Sequence, residues 1–307
     1  MTGETRTPSI PPAGVETVCR RSPGYPPALQ EGPGAPRTLH VLGGAERLAR
    51  LTAGPVVAVV GSERATDYGM EMARSLARGL AVSGVTVVSG FANGIAAGAH
   101  AGALEIDGPT VTVMSGGVDV VAPASRRGLY ERVIESGCAV SVTPCGIKQR
   151  PWSAIARART VAALAAVTVV VEAEERPWDL RVADFARALG RTVAAIPGRV
   201  TSPASRGTNA LLAQGAPLVR GAQDTLDLLY GVSPGQHDTP SLSSRLRADL
   251  RATLERVGDG ADTPGKLTGA DEDPGETLLA LAELELMGLL GRGDGGRYVP
   301  RQGLAGG

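Results

Sequence analysis

Three short turns carry the residue types best suited to chemistry: Gly61-Ser62, Ser89-Gly90 and Ser115-Gly116-Gly117. Small residues let backbone N–H groups approach an anion closely, and a helix beginning just beyond adds the positive end of its dipole. Ser62, Thr66 and Ser89 add hydroxyl donors. The chemistry on offer is phosphate binding, weighed against the plainer role of tight turns and helix N-caps. One such turn favours the plainer role; matched turns in consecutive units shift the balance. Covalent chemistry finds little support. His40, His100 and His237 stand far apart, and no Ser–His–acid set or carboxylate pair can be assembled. Cys19, Cys138 and Cys145 lack metal-ligand spacing, and no Gly-Lys-Ser/Thr of a Walker A loop follows a strand. The residues therefore predict no enzyme, no cofactor and no metal.

The elements that must position these turns are legible from periodicity. Val56–Val60 is apolar throughout and Val85–Val88 is so but for the β-branched Thr86, as parallel strands covered on both faces are. The first feeds a helix from Asp67 with Met70, Ala73, Leu76, Ala77 and Leu80 on one face, stopped at Gly84. The second feeds an Ala-rich helix holding His100. Further strands are expected at 110–114, 138–142, 167–171 and 193–196, with helices at 125–135, 152–164 and 180–189. A short strand at 38–43 precedes them, and Leu218-Val219 reads as a short edge strand. Strand, turn and helix in succession predict an α/β fold: a doubly wound, mostly parallel, extended Rossmann-like sheet. Ligands in such sheets bind beyond the carboxyl ends of the strands, where the Ser-Gly turns fall.

Residues 1–23 lack periodicity and predict a disordered lead-in, with the Rossmann-like domain at 24–231. A Ser/Pro/Gly linker follows at 232–243. Residues 244–301 read as a small winged-helix-like domain, two amphipathic helices and a hairpin turning at Gly295-Gly296. Residues 302–307 are expected as a disordered tail. The 307 residues carry 31 Lys+Arg and 31 Asp+Glu, so global charge gives no case for a nucleic-acid partner. Aromatics at 3% leave few stacking platforms. Three sparse cysteines fit a reducing cytoplasm, and no stretch resembles a signal peptide or a membrane span.

Locally the charge is uneven. No acid occurs from Ser136 to Val171, which holds Lys148, Arg150, Arg157 and Arg159. None occurs from Phe185 to Gln223, which holds Arg199 and Arg206 among others. Lys148, Arg150, Arg199 and Arg206 fall in loops after strands, on the edge of the Ser-Gly turns. Together they predict a cationic rim above a phosphate nest, as a nucleic-acid backbone requires.

Read together, the chain resembles the DNA-processing protein A family, DprA or Smf. The resemblance is carried in order by Tyr25-Pro26-Pro27-Ala28-Leu29, Val60-Gly61-Ser62, Thr66-Asp67-Tyr68-Gly69, Val88-Ser89-Gly90, Gly94-Ile95 and Ala99-His100. It continues through Gly116-Gly117-Val118-Asp119, Val171-Glu172-Ala173, Ile196-Pro197-Gly198, Ser205-Arg206-Gly207-Thr208-Asn209 and Gly215-Ala216-Pro217-Leu218-Val219. It covers Tyr25 to Tyr230. The resemblance implies single-stranded DNA as ligand, a homodimer, and delivery of a RecA-type recombinase onto the strand in DNA uptake or recombination. It implies DNA or phosphate contacts from Ser62, Arg64, Thr66, Ser89, Gly90, Asn93, Gly116, Lys148, Arg150, Arg157, Arg159, Arg199 and Arg206, with Asn209 supporting its loop.

Several positions depart from the family pattern. Glu63 stands where an arginine is usual, with Arg64 one place late, and Asn93 replaces another arginine. Arg157-Ala158-Arg159 replaces Arg-Asn-Arg, Trp152 stands near a usual Phe-Pro, and Pro177-Trp178-Asp179 replaces Ser-Gly-Ser. Glu63 beside the nest opposes a DNA backbone unless it turns away. Two rival readings follow: a nucleotide-binding or nucleotide-hydrolysing LOG-like protein, and a scaffold without DNA binding. Against the former, Arg199 follows Pro197-Gly198 where those enzymes carry Pro-Gly-Gly-x-Gly-Thr. In the C-terminal region Asp271, Glu272, Asp273, Glu276, Glu283 and Glu285 make a poor duplex-reading helix and favour a protein contact.

Overall fold

The computed structural model describes residues 14–30, 35–121, 124–231, 247–258, 260–268, 273–287, 289–293 and 297–300. The chain divides into two compact units, Met1–Pro234 and Gly235–Gly307. The expected linker at 232–243, the tail at 302–307 and the hairpin turn Gly295-Gly296 lie outside the described residues, as does His237.

The first unit is built on β1 (Val15–Cys19), β2 (Thr38–Leu42), β3 (Val56–Val60), β4 (Thr86–Gly90), β5 (Thr110–Val113), β6 (Cys138–Ser141), β7 (Val167–Val170) and β8 (Thr192–Ala195). They form one sheet in the order β1-β2-β6-β5-β4-β3-β7-β8. From β6 to β8 every pairing is parallel; β1 with β2 and β2 with β6 are antiparallel. The fold is thus an α/β, Rossmann-like, mostly parallel sheet. The strand residues of β3, β5, β6 and β7 are buried throughout, as a sheet covered on both faces demands.

Helices cover both faces. In chain order they are α1 (Pro27–Gln30), α2 (Ala45–Ala53), α3 (Asp67–Val82), α4 (Ile95–Leu104), α5 (Arg127–Ser136), α6 (Pro151–Leu164), α7 (Pro177–Ala188), α8 (Arg206–Ala213) and α9 (Ala222–Tyr230). One core layer joins Val57, Val59 and Val87 to Leu76 and Leu80 of α3 and to Ile95 and Ala99 of α4. The other joins Val56, Ala58 and Val88 to Val161 of α6, Ala183 and Ala186 of α7 and Leu211 of α8. Alternate residues of β3 thus point to opposite layers, the period-2 geometry of a strand. The chain runs from β3 outward through β4, β5 and β6, then returns to β7 on the other side of β3. The strand order therefore reverses between β3 and β7, with α3 leaving to one face and α7 to the other.

Two findings differ from expectation. Val15–Cys19 lies inside the stretch read as an unstructured lead-in, yet it pairs with β2 from Val15↔Leu42 to Cys19↔Thr38. Only Val18 among its residues is buried, so an edge strand with one wet face left no apolar run to read. Leu218 forms an isolated parallel bridge to Ala195 in place of a strand. Pro217 has no N–H to extend the ladder.

The second unit holds α10 (Ala248–Gly258), α11 (Pro264–Leu267) and α12 (Pro274–Leu286), then β9 (Leu290–Arg292) antiparallel to β10 (Tyr298–Pro300). Its core is Leu250, Val257, Leu267, Leu281, Leu284, Leu290 and Tyr298. Asp273 caps α12 by accepting the Gly275 N–H at 2.8 Å. Glu283 and Glu285 are engaged by Arg247 and Arg292, and Asp271 and Glu272 lie outside the described residues.

Candidate functional site

A cleft of about 580 Å³ opens over the carboxyl ends of β3 and β4, between α6 and α7. Its floor is Gly61, Ser62, Ser89, Gly90, Ala92 and Ala96; α6 and its N-cap contribute Arg150, Ala154 and Arg157; α7 contributes Trp178, Asp179 and Arg181. It lies where the strand order reverses, the position at which open α/β sheets bind ligands.

The floor depends on one close approach. Gly94 has φ +62°, and a Cβ there would run into the Ser62 carbonyl oxygen. That carbonyl accepts the Ile95 N–H at 3.1 Å, so the turns after β3 and β4 are bonded to each other. A side chain at residue 94 would force them apart.

Hydroxyl groups at the floor are mostly committed inward. Ser89 Oγ donates to the Val59 carbonyl at 2.7 Å. Thr66 Oγ1 donates to Glu172 Oε1 at 2.7 Å and accepts the Gly69 N–H at 3.2 Å. Ser62 Oγ accepts the Arg64 N–H at 3.1 Å, which leaves its own proton for the cleft. The N-terminus of α3, expected to face a phosphate, holds an anion of the protein itself. The buried Glu172 carboxylate accepts the Thr66 N–H at 2.7 Å there. Thr66 therefore anchors α3 to the end of β7 and does not line the cleft. The physical reason is the same in each case: sheet-end carbonyls and first-turn amides need partners once buried.

Charge enters from α6. The Arg157 side chain is 21% exposed, and its Cδ and Nε lie over Gly90, where a Cβ would meet them at 3.2 Å. Burial pulls its pKa below the usual arginine value, Glu63 opposes that shift, and Arg126 adds to it. A guanidinium keeps its charge despite such burial. Among the described residues its ion pair is with Glu63 Oε1, at 3.9 Å, a carboxylate 61% exposed. The N-terminus of α6 adds to the positive field. Arg150 is its N-cap, Pro151 follows, Ser153 Oγ accepts the Arg150 N–H at 2.9 Å, and no acid occupies the first turn. A helix start with arginine where a carboxylate would be stabilising attracts an external anion.

The sequence-predicted residues thus divide. Ser62, Arg64, Ser89, Gly90, Arg150 and Arg157 line the cleft. Asn93 and Lys148 are exposed on neighbouring loops outside its lining. Gly116 belongs to a turn closed over by the next loop, whose Ile147 carbonyl accepts the Gly117 N–H at 2.9 Å; its own carbonyl takes Ser141 Oγ at 2.7 Å. Arg159 points from α6 toward Phe185, 5.8 Å from its ring centroid, away from this cleft. Arg199 and Arg206 are exposed near α8 and do not line it. Asn209 brackets its loop, accepting the Gly198 N–H at 3.2 Å and donating to the Gly198 carbonyl at 3.0 Å.

Sequence reasoning missed the α7 wall: Glu174, Arg176, Trp178, Asp179 and Arg181. Its signal was present in Pro177-Trp178, a tryptophan at the start of a helix following a strand. Burial raises the Asp179 pKa above the usual carboxylate value. His100, in the helix that follows the second Ser-Gly turn, is fully buried, with Nδ1 2.8 Å from Thr110 Oγ1. Burial pushes its pKa down to about 4, so it is a neutral packing residue and not part of the cleft. Among the described residues no group of three His, Cys, Asp or Glu is placed to hold a metal. No described helix is long and apolar enough to cross a membrane.

Fold and site together define a doubly wound α/β protein with an arginine-lined ligand cleft at the reversal of its strand order. Comparison with known proteins specifies the family. A sequence model described as DNA recombination-mediator protein A matches residues 16–230, and the chain belongs to that family. A protein described as DNA processing protein DprA in Mycobacterium tuberculosis is 40% identical over 253 residues, covering 80% of this chain. The chain matches only 64% of that relative's length. Protein Smf of Escherichia coli is 32% identical over 289 residues, covering 90% of this chain and 74% of that one. The crystal structure of DprA from Streptococcus pneumoniae superposes with a TM-score of 0.65 at 30% identity, covering 71% of this chain and 75% of that one. A Helicobacter pylori DprA structure, described for its single-stranded DNA binding mode, gives 0.62 at 25% identity, covering 71% and 96%.

Proposed function

We propose that the cleft binds single-stranded DNA and that the protein is a recombination mediator delivering a RecA-type recombinase onto the bound strand. The observation that carries the reading is Arg157: a mostly buried guanidinium on the α6 wall of the cleft, resting on Gly90 and, among the described residues, paired with a solvated Glu63 3.9 Å away. A buried cation with so weak a partner is costly unless an anion completes it. Arg150 and the α6 N-terminus extend the field along one wall, as a phosphate chain needs. Family membership and the single-strand binding described for the Helicobacter pylori relative support the same ligand. The reading carries with it a homodimer acting in the cytoplasm.

The test is anisotropy of a labelled oligo-dT across a salt series, with Arg157→Met beside the wild type. Binding should weaken as salt rises, and the variant should lose about 0.7 of the log–log slope for each phosphate contact removed. Recombinase delivery is read separately, as protein-dependent stimulation of a RecA-type ATPase on strand coated with single-strand-binding protein. The Glu63–Arg157 contact also favours a second reading, a scaffold whose internal carboxylate has replaced the ligand. Absence of binding at the lowest salt, with the fold intact, would select that reading.

A further inference from the structure

The two walls of the cleft differ in chemistry. The α6 wall presents Arg150, Arg157 and Gln149, and no carboxylate occurs between Ser136 and Val171. On the α7 wall Arg176 and Arg181 are matched by Glu174 and Asp179. Arg176 Nε lies 2.7 Å from Glu174 Oε2. Arg181 is turned onto an aromatic ring: its guanidinium carbon sits 4.3 Å from the Trp178 ring centroid. The α7 wall thus offers no net charge and one flat apolar surface. Trp178 is 60% exposed although it lines a concavity. Trp178 stands in the first turn of α7, and the guanidinium stacked on it holds the ring.

A single strand of DNA has the same two-sidedness, with anionic phosphates along one edge and planar bases along the other. We infer that the strand lies in the cleft with its backbone on the α6 wall, and that Trp178 stacks an unpaired base on the indole face opposite Arg181. The inference rests on the single-strand reading above and deepens it by assigning each edge of the ligand to a wall. Stacking on an indole is tolerant of base identity, because every base has a π-face. The assignment also gives a role to the stretch that replaces Ser-Gly-Ser in the family pattern, Pro177-Trp178-Asp179. The chain's other tryptophan, Trp152, lines a separate apolar groove with Leu29, Ile155 and Arg159. It does not compete for the role.

The experiment uses the full chain with Trp152→Phe, so that Trp178 is the one remaining indole. Oligo-dT and an abasic oligonucleotide of equal length are titrated while anisotropy and indole emission are followed together. Emission should be quenched by oligo-dT in step with anisotropy and unaffected by the abasic strand. Trp178→Ala should weaken oligo-dT binding about tenfold and leave abasic binding unchanged, and Trp178→Phe should recover part of the difference. Anisotropic binding without quenching, or an alanine variant that still prefers oligo-dT to the abasic strand by the wild-type ratio, would overturn the stacking and leave the single-strand reading standing. No binding by anisotropy would overturn both.

Discussion

Replacing Glu63 by glutamine should tighten single-strand binding. Glu63 Oε1 lies 3.9 Å from Arg157 Nη2, with the arginine the buried partner and the carboxylate 61% exposed. Unit charges at that distance attract by about 1 kcal/mol in bulk water and about 4 kcal/mol at an effective dielectric near 20. Solvation of Glu63 places the pair near the lower figure, in the range of about 0–1 kcal/mol measured for exposed pairs. A phosphate reaching Arg157 must displace this carboxylate or lie against it. Removing the charge while keeping the shape should therefore strengthen binding by about 1 kcal/mol, near fivefold in Kd. The assay is oligo-dT anisotropy at low salt and again at physiological salt. The gain should shrink as the Debye length falls from about 30 Å at 0.01 M to about 8 Å at 0.15 M. Unchanged or weaker binding at low salt, with an unaltered urea midpoint, would refute the reasoning. The strand would then not approach Arg157.

Other outcomes follow from the same contacts. Glu172→Ala should destabilise the first unit by about 3 kcal/mol in urea unfolding, because it strips charge-assisted hydrogen bonds from Thr66 at the start of α3; a loss under about 1 kcal/mol would reject the anchor. Gly94→Ala should cost more than about 1 kcal/mol and weaken oligo-dT binding as well, since it parts the turns after β3 and β4; unchanged stability would show that the floor tolerates the shift. His100 gives a pH dependence. Its folded pKa is about 4, against about 6.5 unfolded. The unfolded chain therefore binds the proton first, and stability present above about pH 6.5 is lost as pH falls toward the folded value. Wild type should lose about 2 kcal/mol more than His100→Gln between about pH 7.5 and pH 5, and equal losses would contradict the buried neutral ring.

Much of the sheet could be read from the sequence because its parallel strands are short, largely apolar runs, and β3, β4 and β5 lead into turns rich in small residues. Val56–Val60 and Val167–Val170 announce themselves by burial on both faces, and the turn at Gly61-Ser62 marks the cleft floor directly. Val15–Cys19 carries no such run, since an edge strand keeps one face wet. The inward commitment of Ser89 and Thr66 was not legible either. It depends on which carbonyl or carboxylate lies beside each hydroxyl, and Glu172 is 106 residues from Thr66. Charge counting along the chain picked out Arg150 and Arg157, which line the cleft. It could not separate them from Arg159, because two residues along α6 turn a side chain to a different face. The α7 wall was missed for a topological reason. It joins the floor only because β7 returns beside β3, so residues near 61 and near 178 meet across the reversal.

The most direct test of the central claim is to find where the strand lies. An oligo-dT bearing photoreactive 4-thiothymidine, crosslinked to the full chain and mapped by peptide mass spectrometry, reads the site without relying on any substitution. Adducts should form in the peptides holding Ser62–Arg64, Arg150–Arg157 and Trp178, suppressed by unlabelled oligo-dT and by rising salt. Adducts confined to the loop of Arg199 and Arg206, or to the second unit, would contradict it.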